Sequence, residues 1–521
     1  MSRQSGKGRE RLWRWGALAL VLAAGIGLRV YGLADRSMWF DESVSYTSIT
    51  RFSWPEMIER TAQAVHPPLY YVVLRGWAAC FGTSLVALRS LSVALAGGTM
   101  AGVYLFCREA FAENDAEGQH PARSGQWIGV SAAALVAVSS VHIVWAQEAR
   151  MYMLGTALAA VSSWLLACGL RRPGAGWWAG YALAAAGLVY THNYGLFTVA
   201  AQGCVAAGHA IHKARGSSAG LMREGVFRRM SLGFAAVALL YAPWLPVVMR
   251  QADRVRSDYW IGPLRTWTVP NAWFELFWPR NTYGAPSRLA AAAVVAAVLL
   301  VLCGLLRRGR LGDWLVVSMA VLPVGCAVAM SLGSASVVVS RYFLFAHVFV
   351  LCGLARGVWR WLEGPARPVA IGVLVLNGLM IHAAYWEELA PGRNAGLEAA
   401  VRHVMESRAA AEPLVVVHPA LFFAVRYYVQ GEARVQLYAT EELTHYNGGP
   451  LLLPGDVVDE GGLKSVAGRG VWVFDTSGFR TSFVRFELPD EWQPVPETEV
   501  RYPEVYRFQG EVCAMKYERR E

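Results

Sequence analysis

Charged residues are scarce in this chain, and their scarcity argues against most soluble protein classes. Asp, Glu, Lys and Arg make up 17% of the 521 residues, whereas soluble domains contain about 25%. Hydrophobic residues make up 55% and form long blocks separated by short basic loops. This layout is typical of a polytopic membrane protein and not of several soluble domains.

The sequence also lacks the common motifs for nucleotide, haem and zinc chemistry. It contains no P-loop, no Rossmann glycine pattern, no haem motif and no HExxH sequence. Its eight cysteines have neither metal-ligand spacing nor a disulfide pattern. The net charge of +10 does not indicate nucleic-acid binding, because the Arg and Lys residues cluster beside the hydrophobic segments. A site on the outer face of a membrane has no supply of ATP, so an activated donor carried by a lipid would suit its chemistry.

Eleven apolar blocks are long enough to cross a bilayer, and the first is predicted to be a retained signal anchor. They fall at about 15–33, 88–107, 127–146, 152–170, 177–191, 193–212, 229–249, 288–306, 313–332, 342–362 and 368–386. The block at 69–82 is short, carries Arg75 and follows Pro67-Pro68, so we expect it to be interfacial.

Loop charges support this choice. If 69–82 does not cross, the basic loops share one side with the N-terminus. The positive-inside rule then predicts about eleven spans in the cytoplasmic (inner) membrane, with the N-terminus in the cytoplasm. The unusual polar clusters all converge on the outer face.

The composition changes after about residue 387. We predict a transmembrane domain over 1–390, with a first outer loop at 34–87, and a small extracytoplasmic α/β domain over 391–521. The predicted elements of the second domain are a helix at Asn394–Ala410, buried strands at Pro413–His418 and Gly470–Asp475, and a hairpin at Val505–Tyr517. This domain has no recognisable catalytic motif, so it is expected to cover a site or to bind an acceptor.

Two adjacent carboxylates, Asp41 and Glu42, follow the first apolar block. They are either a solvated loop pair, a helix cap or a functional pair held at the interface by Trp39 and Phe40. A carboxylate at this position can act as a general base that deprotonates an attacking hydroxyl. In the same predicted loop, His66 precedes Pro67-Pro68 and is a candidate metal ligand, phosphate contact or wet loop histidine.

Three further polar clusters lie at the predicted outer edge. In the segment 147–152, Glu148 and Arg150 either pair with each other or contact a ligand. The segment 190–194 places five consecutive hydrogen-bonding side chains in an apolar run, which is unusual at that depth. Arg341 and Tyr342 begin a late span, where the arginine either snorkels or binds a lipid phosphate.

Together these motifs resemble those of family 39-like bacterial membrane glycosyltransferases of the GT-C superfamily, relatives of protein O-mannosyltransferases and of the lipid A aminoarabinose transferase. The resemblance covers most of residues 10–390. It rests on the set Trp39-x-Asp41-Glu42, His66-Pro67-Pro68-Leu69-Tyr70-Tyr71, Gln147-Glu148-Ala149-Arg150-Met151-Tyr152 and His192-Asn193-Tyr194-Gly195.

The resemblance implies an inverting transfer of a sugar from a polyprenyl-phosphate carrier to a lipid, glycan or protein acceptor outside the cytoplasm. Asp41 would be the general base or orient the acceptor, and Glu42 would support it or bind a metal. His66 replaces a lysine of the aminoarabinose transferase, which leaves a metal or phosphate role open. A divalent cation is a possible cofactor, with Glu42 and His66 as candidate ligands. The implied substrate-binding residues are His66, Tyr70, Glu148, Arg150, Tyr152, His192, Asn193, Arg341 and Tyr342.

Two other functions remain open at this point. A transporter or flippase of lipid-linked sugars would need polar groups near the bilayer midplane and broken helices. A membrane-anchored cell-envelope assembly protein would act through its outer domain. The position of the polar clusters at one edge favours the enzyme over the transporter, and in the assembly protein these clusters would have no role in function.

Overall fold

The computed structural model describes residues 2–112, 123–172, 174–216, 226–257, 260–278, 288–333, 335–389, 396–466, 470–479 and 483–520. The predicted domain boundary at 390/391 and the start of the helix predicted from Asn394 lie outside these residues.

Helices fill the chain up to Leu389. They are α1 (Ser2–Val30), α2 (Phe40–Arg51), α3 (Trp54–Gln63), α4 (Leu69–Phe81), α5 (Leu85–Ala110), α6 (Arg123–Val138), α7 (Ser140–Ala146), α8 (Tyr152–Arg171), α9 (Ala175–Thr191), α10 (Gly195–Gly216), α11 (Val226–Tyr241), α12 (Leu245–Ser257), α13 (Thr268–Phe277), α14 (Arg288–Leu306), α15 (Leu311–Gly333), α16 (Leu344–Trp361) and α17 (Ala366–Leu389). All eleven predicted apolar blocks are helical, which confirms the α-helical membrane fold.

When helices are counted as membrane spans by their length and composition, fewer than the predicted eleven qualify. Among the described residues, eight helices are long and apolar enough to cross a membrane, or nine if one bent pair counts as a span. The block at 177–191 is the 17-residue helix α9, and α10 carries the polar residues Gln202 and His209. The exact number therefore stays a prediction. Helix α4 has 13 residues, about 20 Å, which is too short for a bilayer core of about 30 Å.

The block at 127–146 is not one straight helix. Helices α6 and α7 meet at Ser139 with a bend of 64°. The buried Arg29 lies against this break, and its guanidinium donates to the carbonyls of Val136, Ala137 and Gly25 at 2.8–2.9 Å. Carbonyls released by a helix break need a new donor where no water is available. Arg29 supplies it and so stabilises the bend that directs α7 toward residues 147–150.

The C-terminal α/β domain contains three α-helices and one mixed sheet in the described residues. The helices are α18 (Gly396–Ser407), α19 (Pro419–Val429) and α20 (Glu460–Val466), and the strands are β1 (Leu414–Val416), β2 (Val435–Tyr438), β3 (Val457–Val458), β4 (Gly470–Thr476), β5 (Trp492–Pro494), β6 (Val500–Pro503) and β7 (Glu511–Arg519). Strands β3, β2, β1 and β4 are parallel neighbours in that order. Strand β7 pairs antiparallel with β4 on one side and with β5 and β6 on the other.

The predicted helix and both predicted strands of this domain are confirmed, but the hairpin is displaced. Its first strand is β6, Val500–Pro503, and not the residues after Val505. The segment between the strands includes a short 3-10 helix, Arg507–Gln509, and a left-handed Gly510. The prediction had the turn at the right place but began the first strand inside it.

The C-terminal domain packs on the loops that follow α1 and on α2. Asp456 receives charged hydrogen bonds from Arg51 of α2 and from Arg426 of α19. The backbone N–H of Met38 donates to the Tyr428 hydroxyl at 2.7 Å. Phe40 and Phe483 meet edge to face with ring centroids 4.8 Å apart. The two parts of the chain therefore enclose the space beside the Asp41 segment.

Candidate functional site

A cavity of about 360 Å³ lies between the membrane helices and the C-terminal domain. The residues that line it share a position at the end of the bundle near α2. They are Trp39, Phe40, Asp41, Val44, Ser48, Arg60, Thr61, Ala64, Val65, His66, Tyr71, Arg150, Tyr152, Trp260, Arg341, Tyr342, His445, Tyr446, Gly448, Pro450, Leu451, Phe479, Phe483 and Phe508. Six of the eleven predicted site residues, Asp41, His66, Arg150, Tyr152, Arg341 and Tyr342, meet there. We call this space the catalytic cavity, after the predicted catalytic residue Asp41 that lines it.

Asp41 stands in the first turn of α2, where unpaired backbone N–H groups favour a carboxylate. Its side chain is 20% exposed and lines the catalytic cavity. The Arg150 Nε lies 3.8 Å from Asp41 Oδ2, an ion-pair distance that is too long for a hydrogen bond. A different nitrogen of Arg150, Nη1, donates to the Asp41 backbone oxygen at 3.1 Å. The arginine thus positions α2 and leaves the carboxylate facing the cavity.

Arg150 also joins Asp41 to His66. Its Nη2 lies 3.2 Å from His66 Nε2. Burial first, and then the positive charges of Arg150 and Arg341, hold the pKa of His66 well below its usual range. His66 is therefore neutral at pH 7, and the nitrogen facing Arg150 accepts a hydrogen bond.

The far wall of the cavity is aromatic and ends in a cation. Tyr342 packs against His192 and Tyr152, with ring centroids 4.9 Å and 6.4 Å away. The Arg341 guanidinium lies over the Trp260 ring, with 4.8 Å between the Cζ atom and the ring centroid, and also contacts Trp145. Aromatic faces stabilise a guanidinium held away from bulk water. The cavity therefore carries a carboxylate on one wall and a strong cation on another.

Glu42 does not face this cavity. It is fully buried and forms a bidentate ion pair with Arg89, at 2.7 and 2.8 Å, while the Ala149 N–H donates to it at 2.9 Å. Burial alone would raise the pKa of Glu42, but Arg89 more than offsets this effect and the pKa is lowered. The acidic residue predicted to assist catalysis is instead a structural anchor, because successive residues of a helix point in different directions.

The described residues do not fit a divalent metal centre of their own. Of the two candidate ligands, Glu42 is occupied by Arg89 and Ala149, and His66 faces the guanidinium of Arg150. No group of three His, Cys, Asp or Glu side chains in the described part of the chain has the proximity to hold an ion.

Two other predicted contacts lie away from the cavity. Tyr70 is fully buried and does not line the cavity, whereas its neighbour Tyr71 does. One interpretation of the sequence was that Glu148 pairs with the Arg150 side chain. In the structure Glu148 has a different partner. Its Oε1 accepts from the Tyr506 hydroxyl at 2.9 Å, and the same hydroxyl accepts from Arg36. Burial and the nearby Glu42 raise the pKa of Glu148 to about 7.

His192 and Asn193 line a second, smaller cavity of about 190 Å³ that shares Val65, His66 and Tyr342 with the first. Asn193 Nδ2 donates to the Val65 carbonyl at 3.1 Å and so ties the α9–α10 turn to the His66 segment. Much of the remaining wall is apolar and comes from α10, α12, α15 and the segment that follows α15. Its apolar members include Leu196, Phe197, Val248, Val255, Met330 and Val337.

Sequence reasoning missed several residues that build the site. Arg89, the partner of Glu42, stands near the start of an apolar block, and a lone cation there was an available signal. No local signal marked the contribution of the C-terminal domain. That contribution consists of His445, Tyr446, Gly448, Pro450, Leu451, Phe479, Phe483 and Phe508.

A larger polar cleft, about 810 Å³, lies within the C-terminal domain and, among the described residues, shares only Phe483 with the catalytic cavity. Several of its charged side chains pair with one another, as Arg485 does with Asp475 and Arg501 with Glu499. The smaller catalytic cavity, which collects the predicted motif residues, is therefore the better candidate for the chemistry.

Solved structures similar to this one belong to membrane proteins. The structure of ArnT from Cupriavidus metallidurans bound to undecaprenyl phosphate matches with a TM-score of 0.58 at 13% identity, covering 96% of this chain and 98% of that chain. The apo form of the same protein gives the same values. An Archaeoglobus fulgidus oligosaccharyltransferase tethered to an acceptor peptide gives a TM-score of 0.48 at 11% identity, covering 89% of this chain and 69% of that chain.

No family model and no curated protein sequence matches the chain. At 13% identity the similarity to ArnT shows a shared fold over nearly the full length of both chains. The helical membrane bundle with a C-terminal α/β domain, which the sequence predicts, is therefore a fold that this chain shares with ArnT.

Proposed function

We propose that this chain, which has the GT-C fold, is an inverting glycosyltransferase. It takes a sugar from a polyprenyl-phosphate carrier and transfers it to an acceptor hydroxyl on the outer face of the cytoplasmic membrane. The observation that carries the proposal is the placement of the Asp41 carboxylate and the Arg341 guanidinium on one enclosed cavity. The ArnT structure of the same fold binds undecaprenyl phosphate, which supports a polyprenyl carrier here.

The cavity has the groups that this reaction requires. Asp41 accepts the proton of the acceptor hydroxyl as its oxygen attacks the anomeric carbon. A new carbon–oxygen bond forms on one face of the sugar while the bond to the carrier phosphate breaks on the other, so the configuration inverts. The bonding electrons leave with the phosphate oxygen, and polyprenyl phosphate is released. Arg341 neutralises the charge that develops on that phosphate.

The neighbouring groups position the reactants. Arg150 holds α2 through the Asp41 backbone oxygen, and neutral His66 offers a hydrogen-bond partner between the carboxylate and the aromatic wall. The narrow apolar cavity beside Tyr342 suits the first isoprene units of the carrier. A donor held by the membrane next to its base has already lost much of the translational freedom that reaction requires.

The outward orientation rests on the charges at the other end of the bundle. Arg108, Arg171, Arg310 and Arg356 lie at the ends of α5, α8, α15 and α16 that are remote from the catalytic cavity. The positive-inside rule assigns that end to the cytoplasm. The catalytic cavity then opens on the outer side of the membrane. Nucleotide sugars are absent from that side, so a lipid-linked donor is required there.

The test is release of undecaprenyl phosphate from a panel of undecaprenyl-phosphate-linked hexoses and pentoses, using membranes that contain the protein. We expect at least one donor to be turned over. Asp41→Asn should reduce turnover by about 100-fold or more, because the general base is lost. Arg341→Gln should raise the KM for the donor and lower kcat, because both donor binding and the departing phosphate lose a charged partner.

The matched control is Asp35→Asn, which removes an exposed carboxylate six residues earlier in the same loop. It should retain full turnover and the same expression level as the wild type. Full turnover by a folded Asp41→Asn protein would remove the catalytic assignment. Movement of an intact lipid-linked sugar across the bilayer without cleavage would instead identify a flippase.

A further inference from the structure

A further polar cavity lies at the end of the helix bundle opposite the catalytic cavity. It encloses about 350 Å³ and is lined by Ala110, Phe111, Ala112, Leu170, Arg171, His209, Lys213, Arg310, Leu311, Gly312 and Arg356. Helix α5 connects the two ends of the bundle. Arg89 of this helix holds Glu42 near the catalytic cavity, and Ala110 lies at the rim of the polar cavity. Those positions are about 30 Å apart along a helix, which matches the thickness of a bilayer core. We call this space the basic pocket.

The basic pocket has a strong excess of positive charge. Four of its lining side chains, Arg171, Lys213, Arg310 and Arg356, are cationic, and none of its lining residues is acidic. Among the described residues, two carboxylates stand beside the lining, and each is shared between arginines. Glu109 pairs with Arg171 and Arg172, and Asp313 pairs with Arg356 and Arg360. Within the described part of the chain, these two carboxylates do not balance the cations.

One buried polar atom of the pocket has no protein partner. The Nε2 atom of His209 is buried and has no hydrogen-bond partner among the described residues. The first turn of α15 is already capped, because the Asp313 carboxylate accepts from the Arg310 backbone N–H at 3.0 Å. Since buried polar atoms normally have partners, the His209 nitrogen is the atom that a ligand in the pocket would contact.

We infer that the basic pocket binds a phosphate-bearing anion at the membrane face opposite the catalytic cavity. The apolar side chains of Phe111, Leu170 and Leu311 border the cations, which suits a phosphate ester with an apolar remainder, such as an anionic phospholipid headgroup. Basic pockets between membrane helices on the cytoplasmic side have this chemistry. The bound phosphate would join the ends of α5, α8, α10, α15 and α16.

A ligand that bridges five helix ends and binds only the folded state raises the thermal stability of that state. The test therefore measures thermal unfolding and direct lipid binding of the full-length protein, purified in a neutral detergent. The probes are dioleoyl-phosphatidylglycerol, zwitterionic dioleoyl-phosphatidylcholine and inorganic phosphate. This readout is independent of glycosyl transfer, so it stands or falls separately from the proposed activity.

Lys213→Gln is the diagnostic variant, because Lys213 is exposed and its loss leaves no buried partner behind. We expect it to bind phosphatidylglycerol about fivefold more weakly than the wild type, the factor that corresponds to about 1 kcal/mol for one cation. Adding His209→Ala should weaken binding further. The matched control is Arg307→Gln, which removes an exposed charge near the same end of the bundle but outside the pocket.

Stabilisation by phosphatidylglycerol but not by phosphatidylcholine supports a lipid headgroup, and equal stabilisation by millimolar phosphate supports a soluble anion in the same pocket. In either case the effect must be reduced in Lys213→Gln and retained in Arg307→Gln. Equal loss in both variants would reduce the effect to general surface charge and overturn the inference. No stabilisation by either anion would overturn it as well.

Discussion

Adjacent residues at the start of α2 have different roles because the helix directs their side chains differently. Asp41 is 20% exposed at the cavity wall, whereas Glu42 is 0% exposed and bound to Arg89. A helix turns by about 100° per residue, so neighbours cannot share one environment. Of the two acidic residues in this motif, one therefore faces the cavity and the other is held in a buried ion pair.

The first residue-scale prediction concerns this buried pair. Glu42→Gln leaves the Arg89 guanidinium buried without a counter-charge, so we expect the free energy of unfolding to fall by about 3–5 kcal/mol. Thermal unfolding in detergent measures the loss. Glu59→Gln, which removes an exposed carboxylate on α3, should change stability by less than about 0.5 kcal/mol. Wild-type stability of Glu42→Gln would mean that Glu42 is not an anchor.

At the scale of single elements, the break between α6 and α7 organises the site. The bend of 64° at Ser139 directs α7 into the loop that contains Gln147, Glu148 and Arg150. Arg29 bonds the carbonyls at the break, and its own carbonyl accepts from Gln147 Nε2 at 3.2 Å. One buried arginine therefore links the helix break to the loop that positions Asp41.

Arg29→Met tests this link. The substitution removes three hydrogen bonds to carbonyls that water cannot reach, so we expect the apparent melting temperature to drop and donor turnover to fall. Arg29→Lys keeps the charge and fewer donors, and it should give intermediate values. The role assigned to Arg29 would be wrong if Arg29→Met matched the wild type in both measurements.

At the scale of the whole molecule, the C-terminal domain supplies one side of the catalytic cavity. Asp456 connects it to α2 through Arg51, Tyr428 bonds the Met38 backbone, and Tyr506 bonds both Arg36 and Glu148. These contacts join residues separated by more than 350 positions in the sequence. The domain is therefore part of the site and not an attachment to it.

Asp456→Asn should loosen this packing. The side chain of Asp456 is 3% exposed and meets two arginines, so losing its charge is expected to weaken the interface by about 2 kcal/mol. Faster hydrogen exchange over α2 and α19, with a raised KM for the donor, would report the change. Glu441→Gln, an exposed substitution in the same domain, provides the control. Unchanged exchange in both helices would contradict a role for Asp456 in holding the domain.

The sequence by itself determined the α-helical membrane architecture and the α/β character of the C-terminal domain, and it identified six of the residues that line the catalytic cavity. Hydropathy blocks and strand patterns are local, and a bilayer permits few alternatives to helices. The tertiary structure alone decided that Arg89 neutralises Glu42, that Tyr71 and not Tyr70 faces the cavity, and that Glu148 pairs with Tyr506. Such pairings depend on helix rotation and on contacts between distant parts of the chain, and no local pattern encodes either.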